Sequence, residues 1–533
     1  MKPRNLLLLL TVLVITLASP IWLAAQKQQD GLEHGKEHHH YKLIDLGTLG
    51  GPSAYRSINA PGYQIINDVG VVSFAADTVM PDPNAPNLCY FHDCFVGHAA
   101  RWENGEVRDL GALPGNGNGS ASGAINARGW IAGQSEDGEI DPVTGLPETR
   151  ATLWKGDQIT DLGTFGGHWS LGLTLNDKGQ VVGFASNAIP DPLALFLGGT
   201  QTRAFLWGNG VLRDLGTLGG DDAEALSVNQ SGQIVGISYT NSEPNETTGI
   251  PTVHPFLWEK GRMIDLGTLG GTYAGSGSCS FGAIFCNSLF LEGSLLINNR
   301  GQVMGTSSLA GDQMFHPFLW EHGTIRDLGT LGGDNGVGVW LTEAGDVVGY
   351  ADLPSSPAGC IGLSCIHHGF LWKDNVTDLG TLGTDPCNHA FMSNTKGQIV
   401  GTSEAVCGGP STHAFLWEND GPMVDLNTLI PEDSGAPLYE ADNINERGEI
   451  VAGGLPTGCS DPSSCGHVYL LIPCDEEHPN IEGCDYSLID VDASIQTRAA
   501  RMPADLQNVT SSNMKDRPLG SLAKRGFRPF PQK

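Results

Sequence analysis

Eight variants of one phrase, Asp-Leu-Gly-Thr-Leu-Gly-Gly, begin at Asp45, Asp109, Asp161, Asp214, Asp265, Asp327, Asp378 and Asp425. The successive intervals are 64, 52, 53, 51, 62, 51 and 47 residues. A period near fifty means that one supersecondary unit is copied along the chain. A chain of 533 residues would ordinarily suggest several domains; the repeat predicts one large body with short extensions instead. Charged residues are only 17% and there are 73 glycines, as many short strands joined by glycine turns would produce. Repetition defines a scaffold, and scaffolds host many activities, so function must be sought in what does not repeat.

The ends and the charge narrow the setting. Lys2 and Arg4 precede the apolar run Leu6 to Leu17, Pro20 breaks it, and Leu23-Ala24-Ala25 offers a small-residue cleavage site. Residues 1–25 therefore read as an export signal; an uncleaved anchor is the competing reading, since Leu6 to Ala25 would just span a bilayer. Residues 26–40 read as a linker rich in histidine (His34, His38, His39, His40), 41–475 as the repeat body, and 476–533 as a poorly ordered tail. The expected location is outside the cell, at its surface or in the periplasm, with no membrane span once the signal is removed. A net charge of −30 repels phosphate backbones and argues against nucleic acid as a partner.

Export gives the twelve cysteines meaning. They fall in sequence-adjacent pairs: Cys89 with Cys94, Cys279 with Cys286, Cys360 with Cys365, Cys387 with Cys407, Cys459 with Cys465, and Cys474 with Cys484. In an oxidising compartment these read as local disulfides stapling loops. Cys360, Cys365, His367 and His368 also have the residue types of a zinc site, but the other pairs occupy similar loops without histidines. Glu136, Asp137, Glu139 and Asp141 offer carboxylates to calcium without a full loop signature. No other cofactor is predicted.

Within one unit, Ala225–Asn229, Gln233–Ser238, His254–Trp258 and Arg262–Leu266 alternate with period two and are separated by turn residues, which predicts a four-stranded antiparallel meander. Asn-x-x-Gly recurs at Asn67, Asn126, Asn176, Asn229, Asn298, Asn394 and Asn445, with Thr342 in the remaining copy, and suits a tight turn closed by glycine. A four-stranded meander cannot bury both faces alone, and a radial array of such sheets solves that. The first phrase is a fourth strand without its first three, and the last unit has three strands without a fourth. The expected fold is thus an all-β propeller of eight four-stranded blades, closed by residues 41–47 pairing with the last third strand.

Two further regularities lie on the third strand. Trp102, Trp154, Trp207, Trp258, Trp320, Trp372 and Trp417 end it and are expected to pack between blades rather than to stack sugars. The residue that opens it is His98, Arg150, Arg203, His254, His316, His368, His413 or His467, nearly opposite the phrase aspartate. A repeated His/Arg–Asp contact would satisfy half-buried polar groups. A ring of catalytic pairs is the alternative, but an active site needs one asymmetric constellation rather than eight copies.

The motifs His-Ala-Phe-Leu-Trp at His413 to Trp417, His-Pro-Phe-Leu-Trp, His-Gly-Phe-Leu-Trp and Arg-Ala-Phe-Leu-Trp, together with the Asp-Leu-Gly phrase, resemble the HAF-repeat family of probable extracellular bacterial repeat proteins. The resemblance covers about residues 43–472. It implies an exported bacterial protein and no particular reaction. The first unit departs from it with His98-Ala99-Ala100-Arg101-Trp102, and the last puts Leu471 in place of the tryptophan. The long irregular loops all belong to one expected face, the usual place for a binding site. A monomeric, non-catalytic scaffold for an extracellular glycan, cell-surface or protein ligand is the favoured expectation; a polysaccharide hydrolase or lyase is the alternative, which a carboxylate or histidine site confined to one or two blades would favour.

Overall fold

A computed structural model describes residues 37–490, apart from 57–61, 87, 116–117, 143–144, 196–198, 247–248, 276–292, 357–364, 410–411, 419 and 433. The export signal, His34, Cys279, Cys286, Cys360 and the chain beyond 490 lie outside the described residues. The chain is all-β. Its strands form eight four-stranded antiparallel sheets, two of them joined by one parallel bridge, Val253 to Tyr273. In order they span 50–111, 120–161, 166–214, 223–265, 270–327, 336–378, 387–425 and 438–473, numbered here sheets 1 to 8. Sheet 8 takes its fourth strand from the other end of the chain: Tyr41–Asp45 pairs with His467–Pro473 in the register Tyr41 to Pro473 and Asp45 to Tyr469.

Sheet 4 shows why these sequences make these strands. Ala223–Val228, Ile234–Tyr239, Val253–Glu259 and Arg262–Asp265 run antiparallel in sequence order. Lys260 and Gly261 both take left-handed backbone (φ 52° and 82°), the two-residue turn whose twist matches a hairpin. Across the sheet, Phe256 is fully buried against Gly236, where an added Cβ would meet the Glu224 carbonyl at 1.9 Å and the phenyl ring at 2.7 Å. The same phenylalanine-over-glycine pairing recurs at Phe205/Gly183, Phe318/Gly305, Phe370/Gly349 and Phe415/Gly401. Sheet 1 reverses it. Ala100 stands where those five sheets have phenylalanine, and its cross-strand partner is Phe74 rather than glycine. The departure at His98–Trp102 is therefore an exchange of volume across one pair, which keeps the core filled.

The cores lie between sheets. The leucine of each Asp-Leu-Gly phrase is buried, and it shares an apolar cluster with the tryptophan of the following sheet: Leu46 with Trp102, Leu110 with Trp154, Leu162 with Trp207, Leu215 with Trp258, Leu266 with Trp320, Leu328 with Trp372, and Leu379 with Trp417. The cluster around Leu46 and Trp102 joins Val451, Val468 and Leu470 of sheet 8 to Phe74 and Val72 of sheet 1, so the packing order returns to its start.

A belt of side-chain amides runs the same way. Asn Nδ2 donates to the backbone carbonyl of the next sheet's turn at Asn67→Asn126, Asn126→Asn176, Asn176→Asn229, Asn229→Asn298, Asn298→Thr342, Asn394→Asn445 and Asn445→Asn67, each at 3.0–3.1 Å. Each Asn Oδ1 meanwhile accepts two N–H groups of its own turn, as Asn229 does from Ser231 and Gln233. Both ends of the amide are used; the Thr342 hydroxyl closes its own turn by accepting from Asp346 N but makes no such bond to the next sheet. Only the step from Thr342 to Asn394 has no such bond among the described residues.

The first strand of sheet 1 is interrupted. After Tyr55 the chain leaves the sheet and rejoins it at Ile65 and Ile66. On the way, Gly62 approaches Ser294 and Val339, Tyr63 packs on the Trp169 and Leu226 cluster, Gln64 accepts from Ile125 N, and Asn443 holds the backbone of Tyr63 and Ile65. Residues 62–65 thus touch the first strands of sheets 2, 3, 4, 6 and 8. Where the sequence suggested a linker and a tail, Glu37–His39 and Leu488–Asp490 pair as a two-stranded ribbon, with His38 buried against Glu418 (2.8 Å).

Phe256→Ala should destabilise the protein by about 3–5 kcal/mol, because the glycine opposite cannot fill the cavity. Urea denaturation with tryptophan fluorescence checks this; a loss under about 1 kcal/mol would show that the pair is not close-packed.

Candidate functional site

The phrase aspartates do the same local work in every copy. Asp Oδ1 accepts the N–H two residues on, from Gly47, Gly111, Gly163, Gly216, Gly267, Gly329, Gly380 and Asn427, at 2.7–2.8 Å. The glycines take positive φ there (75° at Gly267), which turns the chain out of one sheet toward the next. In six copies the carboxylate also meets the His or Arg expected opposite it on the third strand: His98 with Asp109, Arg203 with Asp214, His254 with Asp265, His316 with Asp327, His368 with Asp378, and His467 with Asp45, at 2.8–3.0 Å.

Two copies depart from the expected contact. Arg150 turns away from Asp161 to Asp137 (2.7 Å) and Glu148 (3.1 Å), because two carboxylates lie within its reach on its own side of the sheet. His413 turns from Asp425 to Asp385 (3.2 Å), while Asp425 caps the short turn Leu426–Thr428. Burial opposes the charge on Asp45, Asp109, Asp265 and Asp378, yet the imidazole and glycine N–H bonds outweigh it and hold these carboxyls below the usual range.

Acids at the loop ends of second strands are also engaged. Asp77 accepts from Ser53 N (2.9 Å), Glu136 from Gly119 N (2.6 Å) and Glu404 from Gly408 N (2.6 Å). Asp222 accepts from Leu195 N and Thr202 N, and burial pushes it up to about 7. Of the carboxylates considered for calcium, Glu136 faces inward, Asp137 pairs with Arg150, and Glu139 is exposed. Disulfides join Cys89 to Cys94, Cys387 to Cys407, Cys459 to Cys465 and Cys474 to Cys484, the pairs expected from spacing. Cys365 is disulfide-bonded too, and so is not a thiolate ligand. The first three bonds and Cys365 lie at the loop face, where second strands end and third strands begin.

Among the described residues, one group of ligand-type side chains gathers across a junction between sheets. His367, His389 and Glu404 are buried, and their ligand atoms all lie within 4.8 Å of one another. His367 opens the third strand of sheet 6; His389 and Glu404 come from the first and second strands of sheet 7. The His367 and His389 rings stack with centroids 4.4 Å apart and planes at 15°. His367 Nδ1 lies 2.8 Å from the Cys365 carbonyl oxygen, to which it donates, and burial pushes the imidazole down to about 4. The sequence carried a signal for this group that spacing within one unit hides: the positions aligned with His367 hold Gly97, Thr149, Thr202, Val253, Phe315 and Thr412, none of them ionisable, whereas those aligned with His389 include Ala121, Leu171 and Glu224.

Comparison with known proteins leaves the assignment to this geometry. No family model and no curated protein matches the chain. Among solved structures it is similar to the beta-propeller domain of the trilobed protease from Pyrococcus furiosus (11% identity, 61% of this chain and 97% of that one, TM-score 0.28). It is also similar to a dipeptidyl peptidase 4 from Porphyromonas gingivalis (10%, 73% and 57%, 0.40) and to an ulvan lyase of a new polysaccharide lyase family (9%, 82% and 96%, 0.34).

Carboxyls held below their unfolded values stabilise the folded state above about pH 4 and lose that contribution as pH falls through the folded pKa. Stability should therefore drop steadily from about pH 4 downward, and Asp265→Asn should flatten that dependence. Denaturant midpoints across the range check it; a flat profile for the parent chain would contradict the pairing.

Proposed function

We propose that this chain is an exported eight-bladed β-propeller of the HAF-repeat type, a non-catalytic scaffold that presents a binding surface for an extracellular glycan or protein on its loop face. The observation that carries this reading is the use already made of the repeated ionisable residues. The phrase aspartates cap turns, their His and Arg partners hold hairpins, and the loop-end acids Asp77, Glu136 and Asp222 cap backbone. Groups so engaged are framework rather than acid–base machinery.

What remains for recognition is the non-repeating loop face, stapled at Cys89–Cys94, Cys387–Cys407 and Cys459–Cys465. Short disulfide loops order a surface before it meets its ligand and so reduce the entropy lost on binding. The contacts of residues 62–65 with the first strands of other sheets also move the expected ligand contact outward, to the loop rims.

Capture of the mature chain on panels of bacterial surface polysaccharides and extracellular proteins tests the proposal. Shortening loop tip 142–146 or 242–249 should weaken capture of the bound member at least tenfold, about 1.4 kcal/mol, for one or both loops, while thermal unfolding stays unchanged. Absence of capture across both panels would contradict the scaffold reading. Release of reducing or unsaturated ends from a polysaccharide would contradict its non-catalytic character and favour the hydrolase or lyase alternative.

A further inference from the structure

Among the described residues, the interface between sheets 6 and 7 differs from every other in two independent ways. It is the step at which the amide belt is interrupted: Thr342 has no side-chain amide to donate to Asn394, and Thr342 Oγ1 accepts from Asp346 N instead. It is also where three ligand-type side chains gather. His367 from sheet 6 faces His389 and Glu404 from sheet 7, all three nearly removed from solvent (1%, 2% and 0% exposed).

The donor set is chemically defined. His367 Nδ1 donates to the Cys365 carbonyl, which fixes the tautomer and leaves Nε2 with its lone pair toward the cluster; that Nε2 is buried and has no hydrogen-bond partner. A backbone carbonyl behind an imidazole is how proteins orient metal-binding histidines. The neighbouring sulfurs of Cys365 and Cys387 are in disulfides and offer no thiolate. Two imidazole nitrogens and one carboxylate suit a borderline divalent ion such as zinc and disfavour calcium or magnesium, which take oxygen ligands. We propose that His367, His389 and Glu404 form a metal site of the zinc class that ties sheet 6 to sheet 7, the one junction where the belt does not.

Binding asks for a small adjustment. Zinc–nitrogen bonds of about 2.0–2.1 Å bring tetrahedral ligand atoms to roughly 3.4 Å of one another, closer than the 4.8 Å span of the cluster. The stacked rings must therefore tilt toward a common point, drawing the two sheets together. The site does not depend on the scaffold reading given above, since it concerns how the framework is held.

The repeat itself supplies variants that should fold. His367→Thr installs the residue found at Thr149, Thr202 and Thr412, and His389→Ala the one found at Ala121. The mature full-length chain is dialysed against chelator, reloaded with zinc, and measured by elemental analysis and thermal unfolding; cobalt(II) serves as a spectroscopic probe. The expected result for the parent chain is one zinc not removed by a metal-free wash, a rise of several degrees in Tm on loading, and visible cobalt bands of a four-coordinate site made by the three side chains and one water. Each variant should lose all three while keeping the Tm of the chelator-treated parent. Zinc held by the N-terminal histidines would survive both substitutions. A parent chain without bound zinc or a zinc-dependent Tm, or variants that retain the shift, would overturn the proposal.

Discussion

The asparagine that opens the first turn of every sheet but the sixth is the interaction on which the architecture depends. Its Oδ1 closes its own turn by accepting two backbone N–H groups, and its Nδ2 reaches the carbonyl of the next turn. One side chain therefore sets both the local turn and the spacing between sheets. Buried amides of this kind are costly to leave unmade, so a chain containing the series is held to one order of sheets. The series returns from Asn445 to Asn67, across nearly the whole sequence, and the Leu46–Trp102 cluster returns with it.

Function is constrained by the same economy. Asp-Leu-Gly gives each sheet a capping carboxylate, a buried leucine for the next sheet's tryptophan, and a glycine free to turn. Every part of the phrase is consumed in joining sheets. The proposed recognition surface and metal site therefore rest on positions where a copy differs from its sisters, at the loop face and at the junction of sheets 6 and 7.

Much of the fold was legible because its signals are local. Period-two alternation placed the four strands of sheet 4 within a few residues of their observed bounds, and Lys260-Gly261 marked its hairpin. The pairing of Tyr41–Asp45 with the last third strand followed from counting strands at the two ends. What escaped was set by contacts distant in sequence. Nothing local in Gly62-Tyr63-Gln64 says that it touches the first strands of other sheets, and nothing near Arg150 or His413 says that another carboxylate will win the contact. Spacing groups His367 only with Cys360, Cys365 and His368, whereas its structural neighbours His389 and Glu404 come from the next unit. Comparing aligned positions across the copies, rather than adjacent positions within one, would have singled it out.

The central claim is that the eight sheets are held as one cyclic body by its N-terminal strand. Thermal unfolding of a chain lacking residues 41–47, set beside that of the mature parent, tests it most directly. That deletion removes the fourth strand of sheet 8 and the Leu46 contact to sheet 1 together. The account predicts a single unfolding transition shifted to markedly lower temperature, with the tryptophans of sheets far from the deletion reporting it. An unchanged midpoint, or loss confined to sheet 8, would contradict it.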